Sequence, residues 1–246
     1  MNKMIQLKFG DNIVDAYHSC PDGEGKHPGL ILIEEIWGVN DHIKNMADRF
    51  AKEGFSVLAP ELLPEGILEM LTPQIQKDLF DPEKRNEVQP KLRAAMAPIM
   101  VPEFAEEAVQ KLKECVSYLL ADPGVNGSVS VLGFCFGGTY SYALAASDSR
   151  VKCAVPFYGH APQPYEKMQG ISCPVFAFYG EHDQMLIAQL PEVKQKMKEY
   201  GKNFETVVYP NAGHAFMNDT NERAYNADAA KDAWSKSLVF LKTHGK

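Results

Sequence analysis

The chain has 246 residues, 45% of them hydrophobic and 23% charged, and a formal net charge of −7. This is globular composition, long enough to bury a sizeable core without disulfides or metals. Lys and Arg are nowhere densely clustered, which excludes a nucleic-acid footprint. The five cysteines, Cys20, Cys115, Cys135, Cys153 and Cys173, are odd in number and form no Cys-x-x-Cys pair. That argues against a disulfide scaffold or a zinc site and predicts reduced thiols in the cytoplasm. The first residues, MNKMIQLKFGDNIVDAYHS, hold no uninterrupted apolar core of signal-peptide length. No run of about 18 apolar residues occurs, so no membrane span is expected.

Met4 to Phe9 alternates, with Ile5, Leu7 and Phe9 on one face, and Asn12 to Tyr17 reads as its partner across a Gly10-Asp11 turn. Gly29 to Ile33 is a continuous apolar run, as in a strand buried on both faces. A helix capped by Asp41 follows, with Ile43, Met46, Ala47, Phe50 and Ala51 on one side and Gly54 at its end. Phe55 to Ala59 is the next strand. Pro102 to Ala121 is an amphipathic helix, its inner face lined by Phe104, Ala108, Leu112, Cys115 and Leu119. Ser128 to Gly133 is a strand that leads directly into another helix. Strands are expected over Val151 to Phe157, Val175 to Tyr179 and Phe204 to Tyr209. The last helix spans about Ala224 to Lys242, with Ala230, Trp234, Leu238 and Leu241 inward.

Strands alternating with helices imply right-handed crossovers and a mainly parallel twisted sheet with helices on both faces. Residues 1–246 are expected to form one α/β domain. Its chemistry should lie at the carboxyl ends of the strands. The stretch from Pro60 to Pro102 breaks the rhythm, holding seven of the 16 prolines. It leaves the carboxyl end of a strand, so it reads as a cap-like excursion at about 60–102.

Gly133-Phe-Cys135-Phe-Gly-Gly138 lies between an apolar strand and a helix. This is the setting of a nucleophile elbow, with Cys in place of the commoner Ser. The turn is too tight for side chains around the nucleophile, and the helix N-terminus favours a thiolate. A thiol needs a base, and His214 follows the strand ending at Tyr209. The histidine needs an orienting carboxylate, and Asp183 follows the strand ending at Tyr179. Glu181 and His182 are weaker candidates. Nucleophile, acid, histidine is the chain order of α/β hydrolases. The oxyanion hole is expected from the backbone N–H groups of Phe136 and Ile36. The adjacent acids Glu34 and Glu35 end a buried strand, where an unpaired carboxylate is costly. One of them is expected to contact the thiol.

These segments together resemble the dienelactone hydrolase family, or carboxymethylenebutenolidases, over essentially the whole chain. The resemblance rests on E-I-W-G-V-N from Glu35, G-F-C-F-G-G from Gly133, G-E-H-D from Gly180 and G-H-A-F from Gly213. It continues through Tyr225, Asp232, Ala233 and Trp234. It implies a Cys135, Asp183, His214 triad and a Glu35 that meets the thiol at rest and releases it when substrate binds. The implied reaction is hydrolysis of the enol-lactone ring of dienelactone, with no metal or organic cofactor. One departure stands out. The family arginine four residues after the histidine is Asn218 here, so a bidentate charged clamp gives way to neutral hydrogen bonding. A second family arginine falls in the excursion, where Arg85 is the nearest match and Arg93 the other candidate. Trp37, Arg85 and Asn218 are thus the expected substrate contacts.

The leading expectation is a cysteine hydrolase of small esters or lactones that passes through an acyl-cysteine. A promiscuous esterase or thioesterase of the same fold is the alternative within the class. A non-catalytic redox-sensing or binding thiol protein is the alternative outside it. A monomer is expected, with a small-molecule substrate and no nucleic-acid or membrane partner.

Overall fold

A computed structural model describes residues 2–9, 12–79 and 81–245. The expected Gly10-Asp11 turn lies outside the described residues. β1 (Asn2–Phe9) and β2 (Asn12–Ser19) pair antiparallel along their length. β2 then joins antiparallel to β4 (Ser56–Pro60). From β4 onward the sheet is parallel, through β3 (His27–Ile33), β5 (Val125–Phe134), β6 (Val151–Phe157), β7 (Val175–Gly180) and β8 (Phe204–Tyr209). The eight strands lie in the order β1-β2-β4-β3-β5-β6-β7-β8.

The centre of the sheet is the most apolar part of the chain. Leu30, Ile31, Leu32 and Ile33 of β3 are completely buried, as are Val129, Val131 and Leu132 of β5. Each such aliphatic side chain contributes about 1.5–3 kcal/mol by leaving water. Side chains alternate across a strand, and the end of β5 shows where the layers lie. Phe134 turns to α1 (Asp41–Lys52), its ring 5.9 Å from that of His42. A Cβ on Gly133 would point the other way, into α6 (Phe136–Ser147). α1 is joined on its side by α8 (Ala227–His244), where Phe50 meets Trp234 at 4.4 Å and Arg49 lies over the indole at 4.1 Å. α5 (Pro102–Ala121) buries Ala108, Leu112, Cys115 and Leu119, as the sequence predicts, together with Val116.

Two helix starts differ from expectation. Asn40, not Asp41, caps α1, its Oδ1 accepting the Ile43 N–H at 3.2 Å. Asp41 is the first helical residue, where its charge suits the positive end of the helix. α8 begins at Ala227 instead of Ala224, because Asn226 caps it by accepting the Ala229 N–H at 3.1 Å. α7 (Gln184–Glu199) is absent from the predicted elements; Pro191 sits inside it.

The proline-rich segment is helical but broken. It forms α2 (Glu65–Met70), α3 (Pro73–Leu79), α4 (Arg85–Met96) and a 3₁₀ turn at Ala97–Ile99. α3 buries none of its residues. The segment builds a small core of its own from Leu63, Ile67, Leu71 and Ile99. Trp37, Phe104 and Phe136 pack against that core from the body of the protein. Among the described residues no helix is long and apolar enough to cross a membrane.

Candidate active site

The elbow at the end of β5 is fixed by steric fit. A Cβ on Gly133 would lie 2.2 Å from the Gly137 carbonyl oxygen, and one on Gly137 would lie 2.3 Å from that of Ile33. No side chain fits at either position. The Gly137 N–H donates to the Glu34 carbonyl at 2.9 Å, which binds the elbow to the end of β3. Cys135 is held between them at φ 56°, ψ −111°, a backbone conformation that L residues rarely adopt. Its N–H donates to the Phe157 carbonyl at 3.0 Å. The thiol is thereby lifted out of the turn at the start of α6.

His214 and Asp183 come from neighbouring loops after β8 and β7. The two loops touch through backbone, with the His182 N–H donating to the Ala212 carbonyl at 2.9 Å. Nδ1 of His214 and Oδ2 of Asp183 are 2.5 Å apart. Asp183 is largely buried, its side chain 13% exposed, whereas His214 keeps 39%. Burial pushes the imidazole toward the neutral form. The negative charge and hydrogen bonding of Cys135 and Asp183 oppose burial and prevail, raising the His214 pKa well above 6.5. Both Cys135 and Asp183 thus favour the charged form of the same ring. Glu181 does something else: its carboxylate accepts the Asn211 N–H at 3.2 Å.

Three of the other four cysteines, Cys115, Cys153 and Cys173, are buried. Burial pushes the first two thiols up to about 12; Cys173 is raised to about 11 for the same reason. Among the described residues no group of three or more His, Cys, Asp or Glu is arranged to hold a metal ion.

Glu34 and Glu35 diverge. Glu34 is fully buried and turns to the root of the excursion, where Oε1 accepts the N–H groups of Leu62 at 2.7 Å and Leu63 at 3.1 Å. Its Oε2 has no partner among the described residues. Burial pushes the carboxyl up to about 8, despite the two N–H donors that favour its charge. Glu35 turns to the histidine loop. Its Oε2 accepts from Nδ2 of Asn218 at 2.8 Å, and its Oε1 accepts from the Tyr158 hydroxyl at 3.4 Å. Among the described residues, the hydrogen bonds its side chain accepts thus come from Asn218 and Tyr158, and none from the thiol.

The loop after Glu35 turns at once, with the Gly38 N–H donating to the Glu35 carbonyl at 3.3 Å. Ile36 and Trp37 are the residues so presented. Phe136 opens α6, where a backbone N–H has no acceptor within its own helix. The Glu34–Gly137 bond brings these two loops together. Trp37 stacks into the small core beneath the excursion, beside Phe136.

A cavity of about 1080 Å³ opens on the outer side of His214 and Asp183. Arg85 and Arg93 of α4 line its far wall with Arg223. Cys135 is not in its wall. Arg223 was not a sequence candidate; it contacts Asp81 of the excursion at 3.4 Å. Asn218 does not reach this cavity. It is buried, and Oδ1 accepts from the Thr220 N–H at 3.1 Å and from its hydroxyl at 2.6 Å. With Nδ2 on Glu35, both ends of the amide are engaged inside the protein. Tyr158 is a second residue that motif reading passed over. It is buried at φ 38°, its ring centroid 5.0 Å from that of His214. Its place at the carboxyl end of β6 was the available signal.

The dienelactone hydrolase family model matches residues 14–245. A Saccharolobus solfataricus protein assigned as a carboxymethylenebutenolidase is 34% identical over all of both chains. One from Synechocystis with the same assignment is 32% identical, covering 95% of this chain and 93% of its own. The crystal structure of a Klebsiella pneumoniae protein assigned as a dienelactone hydrolase has a TM-score of 0.82 at 26% identity, covering 98% of each chain. The sheet and its helices have the α/β-hydrolase fold, and the chain is a hydrolase that belongs to the dienelactone hydrolase family.

Proposed function

We propose that the protein hydrolyses small esters or lactones through an acyl-cysteine intermediate. One observation carries the reading: Nδ1 of His214 is held by Asp183 at 2.5 Å, and Cys135 adds to the pull that raises the same ring's pKa. The Cys135 thiolate attacks the carbonyl carbon, and its proton rests on His214. The N–H groups of Phe136 and Ile36 receive the developing oxyanion. His214 gives its proton to the leaving alkoxide, which in a lactone stays tethered to the acyl group. It then takes a proton from water, whose oxygen attacks the thioester and frees the acid. Asp183 holds the tautomer and supports the imidazolium throughout. The excursion acts as a cap, with Arg85 and Arg93 facing the mouth of the site.

The lactone half of this reading is supported by the relatives assigned as carboxymethylenebutenolidases. The engaged amide of Asn218 favours a second reading within the class, a broader esterase without a charged clamp beside the histidine. Incubation with a slowly hydrolysed aryl ester tests the mechanism. Mass spectrometry should show one acyl group on Cys135, and Cys135→Ala should fold normally and lose turnover. Near-normal turnover in a folded Cys135→Ala protein would sink it.

A further inference from the structure

Two of the five cysteines are half-buried, and only one of them stands at the elbow. The other, Cys20, follows the last residue of β2. We propose that Cys20 is a second reactive thiol, a modification site that takes up a small disulfide as a mixed disulfide, with His18 as its base. The site is separate from the catalytic loops and does not depend on the reading of Cys135 as the nucleophile.

Strand geometry assembles the site. Side chains two apart on a strand share a face, so His18 and Cys20 project together. β2 and β4 pair antiparallel, with His18 opposite Leu58 and Ser19 opposite Val57. One more step along that register sets Cys20 opposite Ser56, the first residue of β4. The three side chains meet accordingly. Nε2 of His18 lies 3.4 Å from Sγ of Cys20 and 3.1 Å from Oγ of Ser56, and Sγ lies 3.9 Å from Oγ. His18 and Ser56 are buried, while Cys20 borders the exposed run 22–26. The imidazole and the hydroxyl are held inside, and the sulfur is the member that solvent reaches. α5 covers this face, the ring of Tyr118 standing edge-on to His18 at 6.1 Å. Ser56 opens a parallel strand, so the group sits at the amino ends of the parallel strands. Cys135 lies past the carboxyl end of β5.

Burial holds the His18 ring below its ordinary pKa; Asp122 opposes this, and the positive charge of Lys3 adds to it. The ring is therefore neutral at pH 7 and offers an acceptor nitrogen. With its own proton on Nδ1, His18 has Nε2 within hydrogen-bond reach of the Cys20 S–H. A half-exposed thiol beside an imidazole is the arrangement that makes a cysteine nucleophilic. As Sγ attacks one sulfur of a small disulfide, the S–H proton passes to Nε2 and the S–S bond breaks. The imidazolium then returns the proton to the departing thiolate. The Cys20 sulfur is oxidised from thiol to disulfide, and one of the two reagent sulfurs is reduced to thiol. Added thiol reverses the step. Burial closes Cys115, Cys153 and Cys173 to such a reagent.

Oxidised glutathione, applied to the full-length protein at pH 7, tests the site, with peptide mass spectrometry to locate each mixed disulfide. Cys20 should carry a glutathionyl group before Cys115, Cys153 or Cys173 carries any, and dithiothreitol should remove it. The rate at Cys20 in the folded protein should equal or exceed that of the same residue in the urea-unfolded chain, where nothing shields it. His18→Gln keeps a partner for Ser56 without the base, and should slow exchange at Cys20 by about tenfold or more. An unchanged Tm separates loss of the base from loss of the fold. Ser56→Ala serves if His18→Gln does not fold. It removes the competitor for Nε2 and should leave exchange at Cys20 as fast as in wild type or faster. A folded rate below the unfolded one, a smaller slowing in folded His18→Gln, or a loss of rate in folded Ser56→Ala would overturn the proposal. Ester turnover enters none of these readouts, so the outcome is independent of that for Cys135→Ala.

Discussion

The elbow and the excursion meet where Phe136 packs against the excursion's small core, and they are built on different principles. At the elbow, backbone meets backbone: a methyl group on Gly133 or Gly137 would penetrate a carbonyl oxygen. In the excursion, Gly66 of α2 has nothing within 4 Å of the place a Cβ would occupy. The elbow has one geometry and tolerates nothing larger than hydrogen. The excursion has a core of four buried residues, three short helices and arginines that reach outward. Chemistry needs atoms fixed to within fractions of an ångström, and recognition of a variable substrate does not. On the proposed function, the rigid part sets the reaction and the looser part is free to set what enters.

The largest expected effect breaks the first half of this contrast. Gly137→Ala drives a Cβ onto two main-chain carbonyls and should cost about 4 kcal/mol or more, or prevent folding. Gly66→Ala should be neutral or stabilising by about 0.5–1 kcal/mol. Denaturation midpoints of the two variants compare the regions directly, and equal losses would erase the contrast. Next comes Asp183→Asn. It keeps the shape and should lower kcat on the order of 10³–10⁴, as a wrong histidine tautomer does in serine triads. A larger loss from Glu181→Gln would reassign the acid.

Glu34 tests the joint between the two regions. Its folded pKa is about 8 against an ordinary 4.5. Between those values the native state holds a proton that the unfolded chain has lost. Stability should therefore fall as pH rises through that window, by at most about 1.4 kcal/mol per unit. Glu34→Gln keeps an acceptor for Leu62 and Leu63 and removes the slope. The variant's Tm should gain on wild type between pH 5 and pH 8; a pH-independent difference would mean that Glu34 ionises freely in the fold. The smallest effect on stability is expected in the excursion. Arg85→Ala and Arg93→Ala should change it by less than about 0.5 kcal/mol. If either arginine binds substrate charge, the preference in kcat/KM for an acid over its methyl ester should drop roughly tenfold, matching a lost contact of about 1.5 kcal/mol.

The strands along the chain and the three loops carrying Cys135, Asp183 and His214 were legible because each signal is local. An apolar run, a glycine-flanked cysteine and a histidine in a small-residue loop are all read within about ten residues. What escaped depends on distance. The opposite duties of Glu34 and Glu35 follow from partners 28 and 183 residues away. Asn218 lies where motif reading expects a substrate contact, yet its amide is committed to Glu35 and Thr220. Arg223 reaches the cavity only because the loop before α8 folds toward Asp81. α2, α3 and α4 were hidden by their prolines, which punctuate short helices as readily as they punctuate loops.

Cys135 occupies a φ of 56°, a region that glycine enters freely and that costs other residues on the order of 1–3 kcal/mol. The residue proposed as the nucleophile is thus a poor choice for the fold that holds it. Glycine would suit position 135 better on thermodynamic grounds alone. A thiol at that point in the backbone is held against the local preference of the polypeptide itself.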